Sequence, residues 1–186
     1  EIAATLAFSA IQNNDKIGVI FFSDKIEKYI PPKKGRKHIL YIIRELLDFT
    51  PQSNQTDISV ALEFLSGVAK RHCTAFMMSD FYDRKSFLHP LTISNRKHDV
   101  VAIQVYDWWE RRLPDVGLLK VRDAESGYEQ YIDTGSKKLR DLHQRNWNNR
   151  QASLHDVFTK SNVDNVSIAT DEDYVKQLMM LFRKRN

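Results

Sequence analysis

Several apolar stretches of this chain run into short polar clusters, and those clusters are where chemistry would sit. Ile17–Phe22 leads into Ser23-Asp24, Thr74–Met78 into Ser79-Asp80, Val100–Val105 into Asp107, and Val166–Ala169 into Thr170-Asp171. Thr56 and Asp57 open a further helical pattern and belong to the same candidate rim. Carboxylates and hydroxyls at the carboxyl ends of parallel strands are the oxygen ligands that a hard cation such as Mg²⁺ takes while keeping several waters. A plainer reading competes with this one. A chain turning out of a strand is polar in any case, and Asp57 and Asp171 suit helix caps.

Other constellations offer less. The six histidines (His38, His72, His89, His98, His143 and His155) have no tight metal-ligand spacing. The six glycines are scattered singly, so no phosphate-cradling loop exists. Ser79-Asp80 lacks the G-x-S-x-G context of a hydrolase nucleophile. Trp108-Trp109 with Arg111-Arg112 could stack bases, but packing of a neighbouring insertion against the core explains them at less cost. No catalytic set emerges.

The elements that must position the rim follow from periodicity. Residues 1–12 and 36–48 show helical spacing of apolar residues, as does the segment Ile58–Val68. The continuous apolar runs at residues 17–22, 74–78, 100–105 and 166–169 have the length and composition of strands covered on both faces. Residues 26–30, broken by charges and stopped at Pro31-Pro32, read as an antiparallel edge strand. A short helix is expected near 84–94, and a hairpin over residues 118–132 turns at Glu125-Ser126-Gly127. A long polar helix over 136–160 and a last helix from Asp171 complete the chain. Alternation of helices with apolar strands predicts an α/β fold with a doubly wound, mainly parallel sheet in one domain, residues 1–186.

Composition bounds the rest. The 186 residues are 42% hydrophobic and 28% charged, the balance of a globular protein. No apolar run reaches the ~20 residues of a membrane span. A single cysteine, Cys73, allows no internal disulfide and suits a reducing compartment, hence a cytoplasmic location. The net charge of +4 is spread among acids, which argues against nucleic acid as the partner. The chain opens on a helix without a start methionine, which suggests that upstream material is absent.

With these residues in place, a resemblance becomes visible. Glu1–Ala10, Asn14-Asp15-Lys16-Ile17-Gly18, Phe22-Ser23-Asp24, Pro31-Pro32-Lys33-Lys34-Gly35, Thr56-Asp57-Ile58, Ser79-Asp80-Phe81, His98-Asp99-Val100 and Leu113-Pro114 occur in this order. Together they resemble a bacterial family, domain-of-unknown-function family 58, related to von Willebrand factor A domains. The resemblance implies a von Willebrand A-like fold with a metal-ion-dependent adhesion site at the carboxyl rim. Thr56 resembles that site's threonine and Asp80 its aspartate, with Ser23, Asp24, Asp57, Ser79 and Asp107 as further rim contacts. The D-x-S-x-S motif of that site and the first, central strand are missing. Mg²⁺ is therefore expected in a full-length protein and weakly or not at all in this fragment. The strands flanking the gap are expected to pair directly, or to be bridged by a segment of another copy in an oligomer.

The resemblance further implies a non-catalytic protein-interaction module working with a MoxR-type AAA ATPase. The competing reading is a Mg²⁺-dependent phosphoryl-transfer or nuclease-like enzyme using Asp24, Asp80 and Asp107, which would need converging carboxylates and a base.

Overall fold

The structure, a computed structural model, describes residues 1–123 and 126–185. The backbone forms two compact units, Glu1–Val68 and Ala69–Asn186.

In the first unit, helix α1 (Ile2–Gln12) precedes strand β1 (Ile17–Phe22), which pairs antiparallel with β2 (Ile26–Lys33). Helices α2 (Arg36–Asp48) and α3 (Ile58–Val68) follow. Phe21, Ile30 and Ile42 are buried together, with Ile17, Val19 and Phe49 packed against them. The Phe21 and Phe49 rings stack at 4.6 Å between centroids. In α3, Ile58 and Leu62, one helical turn apart, are fully buried.

The prolines do not stop β2, as they were expected to. The strand runs through Pro31 and Pro32, and Ile17 still pairs with Lys33. The step from Val19↔Ile30 to Ile17↔Lys33 opposes two residues of β1 with three of β2. This extra residue takes the prolines out of the regular ladder, where their lack of an N–H would break a bond. A second irregularity lies between Phe21↔Lys28 and Phe22↔Ile26 and leaves Glu27 as the extra residue.

The second unit is built on a parallel sheet in the order β3-β4-β7, from Thr74–Ser79, Asp99–Tyr106 and Asp164–Ala169. Helices flank it: α4 (Leu88–Lys97), α5 (Trp108–Arg111), α6 (Lys137–Ser161) and α7 (Tyr174–Arg185). The expected α/β class with a parallel sheet is what the chain adopts. The central strand β4 has Val100 to Ile103 at 0–1% exposure, as its unbroken apolar run requires. β5 (Leu118–Arg122) and β6 (Glu129–Asp133) form the expected hairpin. Of its expected turn, Glu125 lies outside the described residues, and Gly127 takes a left-handed φ of 70°.

Three further expectations are corrected. The helix expected from residue 84 begins at Leu88, because Pro90 is tolerated only in a first turn. Among the described residues Asp171 makes no capping hydrogen bond. Instead, Asp173 accepts from the Val175 and Lys176 N–H groups at 3.1 and 3.3 Å and starts α7. Trp108 and Trp109 do not pack into the core. They stay 39% and 52% exposed, and the Arg111 guanidinium lies 5.1 Å over the Trp108 ring. Within the units, β1 pairs with β2, and β3 with β4.

His98, at the junction of α4 and β4, is 1% exposed. Its Nδ1 lies 3.5 Å from Cys73 Sγ, and its Nε2 has no hydrogen-bond partner among the described residues. Burial, with Lys97 and His72 adding repulsion, pushes its pKa below the ordinary 6.5. The unfolded chain therefore takes up a proton near that pH where the folded chain does not. Stability falls as pH drops below 6.5, by at most about 1.4 kcal/mol per pH unit. Urea unfolding between about pH 5 and pH 8 tests this; a His98→Gln variant should show a flatter profile, and an equal slope would refute the assignment.

Candidate functional site

In the first unit, the expected rim residue Ser23 bonds to a residue that sequence reasoning missed. Ser23, 5% exposed, donates its hydroxyl to Glu27 Oε1 at 2.7 Å. The same carboxylate oxygen accepts from the Gln52 and Ser53 N–H groups at 3.1 and 3.2 Å. Glu27 can do this because it is the extra residue of the β2 irregularity, which frees its side chain from strict strand alternation. In the sequence it is one more charge on an edge strand. The loop before α3 is thereby tied to the end of β1, and the Asp57 N–H donates to the Ser23 carbonyl at 3.0 Å.

Asp57 serves as the helix cap that its position suggests. Its Oδ1 accepts from Ser59 N at 3.1 Å and Val60 N at 3.4 Å. Asp24 is exposed. A hydrogen bond from Ser53, joined by Ser23 and the charge of Lys25, holds its carboxyl below the ordinary carboxylate range. Thr56 is half-buried beside Asp57.

In the second unit, the strands β3, β4 and β7 end at Ser79-Asp80, Asp107 and Thr170. The Asp80 Oδ1 accepts from the Tyr82 N–H at 3.0 Å, and the Ser79 Oγ accepts from the Phe81 N–H at 3.0 Å. Between these bonds Phe81 sits at φ 55°. That is the left-handed region, which a bulky side chain avoids. The Phe81 ring is buried and meets Phe158 edge-on at 5.2 Å between centroids. Packing thus fixes a strained turn, and the turn holds Asp80 outward and exposed.

Asp107 is a capping box for α5. Its side chain accepts from Trp109 N at 2.8 Å, while its own N–H donates to Glu110 Oε1 at 2.9 Å. The Thr170 hydroxyl reaches its other oxygen at 3.5 Å. Gln104 is a second residue that sequence reasoning passed over. It is 1% exposed in the middle of β4. Its amide donates to the Asp80 carbonyl at 3.3 Å and its oxygen accepts from Ser167 Oγ at 2.8 Å, tying all three strand ends together. The only signal was one polar residue in the run Val100–Val105.

The resemblance implies Mg²⁺, which takes oxygen ligands. Thr56 belongs to the first unit and Asp80 to the second. Among the described residues no three His, Cys, Asp or Glu side chains converge in a way that could hold a metal. Asp57, Asp80 and Asp107 each commit a carboxylate oxygen to a backbone N–H. In each of them these bonds engage Oδ1 and leave Oδ2 out.

Comparison with known proteins decides the family. The model of the family described as protein of unknown function DUF58 matches residues 1–153. The chain belongs to the DUF58 family. Two relatives are the uncharacterized proteins Rv1480 of Mycobacterium tuberculosis and Mb1516 of Mycobacterium bovis. Each is 27% identical over 187 residues, covering 98% of this chain and 58% of the relative. The chain thus spans 58% of the length of those DUF58 relatives. The uncharacterized protein MAV169 of Mycobacterium avium is 24% identical over 158 residues, covering 84% of this chain and 93% of the relative.

Among solved structures, the conserved hypothetical protein BatB of Bacteroides thetaiotaomicron superposes with a TM-score of 0.61. It is 12% identical, over 99% of this chain and 85% of its own. An aerotolerance-related membrane protein of Bacteroides fragilis gives 0.59 at 14% identity, over 98% and 87%. At such identities the likeness is one of fold, an α/β arrangement with helices flanking a parallel sheet. No helix among the described residues of this DUF58 chain is long and apolar enough to cross a membrane.

Proposed function

We propose that this DUF58 chain is a von Willebrand A-like, non-catalytic protein-interaction module whose docking surface is the carboxyl rim of its parallel sheet. The supporting observation is the Ser79-Asp80-Phe81 turn. A bulky residue is held at φ 55° by a buried ring while the neighbouring carboxylate is left exposed. Strain of this kind costs of order 1–3 kcal/mol and concentrates at functional sites. A strained turn is a reasonable expense for presenting one acid at a fixed position, because the partner then pays less to order it.

The partner in this reading is a MoxR-type AAA ATPase, and the setting is cytoplasmic assembly or regulation of other proteins. A divalent cation enters only if residues beyond these supply further oxygen ligands, as a metal-ion-dependent adhesion site would require. The enzyme alternative has less support, since it needs converging carboxylates and a base, and no three His, Cys, Asp or Glu side chains converge among the described residues.

Asp80→Ala in the full-length protein is the test. Its affinity for a MoxR-type ATPase, measured by calorimetry, should fall at least about tenfold, the loss of one good charged contact of ~1.4 kcal/mol. An unchanged affinity would refute the docking role of Asp80. Excess chelator, measured separately, decides whether a cation takes part.

A further inference from the structure

The second unit contains a cavity that the rim residues discussed so far do not line. It measures about 360 Å³ and is walled by Tyr82, Glu110, His143, Asn146, Trp147 and Arg150. That volume lies within the range of small-ligand sites. Four of these residues fall on α6 at helical spacing and so form one stripe of its surface. Tyr82 follows β3 and Glu110 follows β4, so the cavity opens at the carboxyl ends of parallel strands, where ligands of open α/β sheets sit.

Arg150 is its chemical centre. The guanidinium lies 4.8 Å from the Trp147 ring and 5.1 Å from the Tyr82 ring, and contact with both holds its plane in place. Its polar groups are under-used. Nη2 reaches Glu110 Oε2 at 3.3 Å, long for a charge-assisted bond, which typically measures about 2.7–2.9 Å. Glu110 cannot easily close the gap, because its other oxygen accepts from the Asp107 N–H. The Arg150 Nε is buried with no hydrogen-bond partner among the described residues. A buried donor left unpaired costs about 1–3 kcal/mol, so the protein's own groups satisfy this guanidinium only in part.

We infer that this cavity binds a carboxylate, which pairs in-plane with the Arg150 guanidinium. A flat two-oxygen group matches the guanidinium edge, as a point charge does not. Glu110 offsets the Arg150 charge, so a monoanion must bind through the in-plane hydrogen bonds, and a dianionic phosphate is the less favoured because it faces Glu110 without a second cation. The carboxylate can belong to a free organic acid or to an acidic side chain of a bound peptide. This inference does not depend on the docking role proposed for Asp80.

The full chain, titrated separately with benzoate, the peptide acetyl-Gly-Asp-Gly-amide and inorganic phosphate, provides the test. The readouts are the NMR signals of the Arg150 Nε–H and the Trp147 indole N–H. One of the two carboxylates should shift both signals saturably, and which one does so identifies the source. Phosphate at equal concentration should not compete. Arg150→Lys keeps the charge, loses the planar fork, and should weaken binding at least tenfold. Asn146→Asp, at an exposed wall position, should weaken it as well with the fold intact. Signals unmoved by both carboxylates, equal binding by phosphate, or wild-type affinity in Arg150→Lys would each overturn the assignment.

Discussion

Replacing Phe81 by alanine is expected to destabilise the second unit by about 3–5 kcal/mol, the usual cost of emptying a buried aromatic site. The ring is 5% exposed, tilted against Phe87 at 6.0 Å and edge-on to Phe158 at 5.2 Å. Against a total stability of about 5–15 kcal/mol, that loss is large. The comparison with Phe81→Gly is more informative. Both variants lose the ring, but only glycine adopts φ 55° without penalty. Left-handed backbone costs a residue with a Cβ roughly 1–2 kcal/mol. The glycine variant should therefore be the more stable of the two by about that amount, read from urea midpoints. A glycine variant equal to or weaker than the alanine variant would show that the turn carries no strain. Either substitution should also lower affinity for a partner docked at Asp80, with the carboxylate itself untouched, because the turn no longer fixes it.

Gly18→Ala should disrupt the pairing of β1 with β2. A Cβ at this position would lie 2.7 Å from the Ile30 carbonyl oxygen, 2.9 Å from the Pro32 nitrogen and 3.0 Å from its Cδ. Two of these are backbone atoms and the third belongs to a ring, so no side-chain rotation relieves the clash. The cost expected is at least the ~1–3 kcal/mol of an overpacked site. Its cause is the local geometry. The extra residue of β2 that lets Pro31 and Pro32 stay in the strand also brings their backbone against β1. Gly67 supplies the control. It lies in α3, where an added Cβ meets nothing within 4 Å. Gly67→Ala should be stabilising, by up to about 1 kcal/mol from helix propensity. Thermal unfolding of both variants checks the opposite signs, and a tolerated Gly18→Ala would mean that the strands separate at no cost there.

Much of the fold is legible in the residues alone. The runs Ile17–Phe22 and Val100–Val105 form strands, as their length and apolar composition predict, but only β4 is buried on both faces, at Val100 to Ile103, whereas in β1 Phe21 alone is buried. Helix α6 was visible in its length and polarity, and the hairpin in its turn residues. Asp57 and Asp107 could be placed at element ends because caps and strand ends are local features, set by residues within one turn. Helix α4 starts at Leu88, four residues after the expected 84, and the reason, Pro90, stands in the sequence.

What the sequence could not supply is anything that depends on where two distant segments meet. Glu27 organises the loop at Gln52 and Ser53 because an irregularity in strand register turns it there, and register is a property of a pair of strands. Gln104 joins three strand ends only because the crossover order β3-β4-β7 puts Asp80 and Ser167 on either side of it. Arg150 becomes a candidate ligand site only when α6 brings it between Tyr82 and Glu110, residues 68 and 40 positions away in the chain. Residue types and local periodicity determine which elements form and which residues cap them. Their side chains acquire partners, and therefore chemistry, only after packing has chosen neighbours that no local pattern encodes.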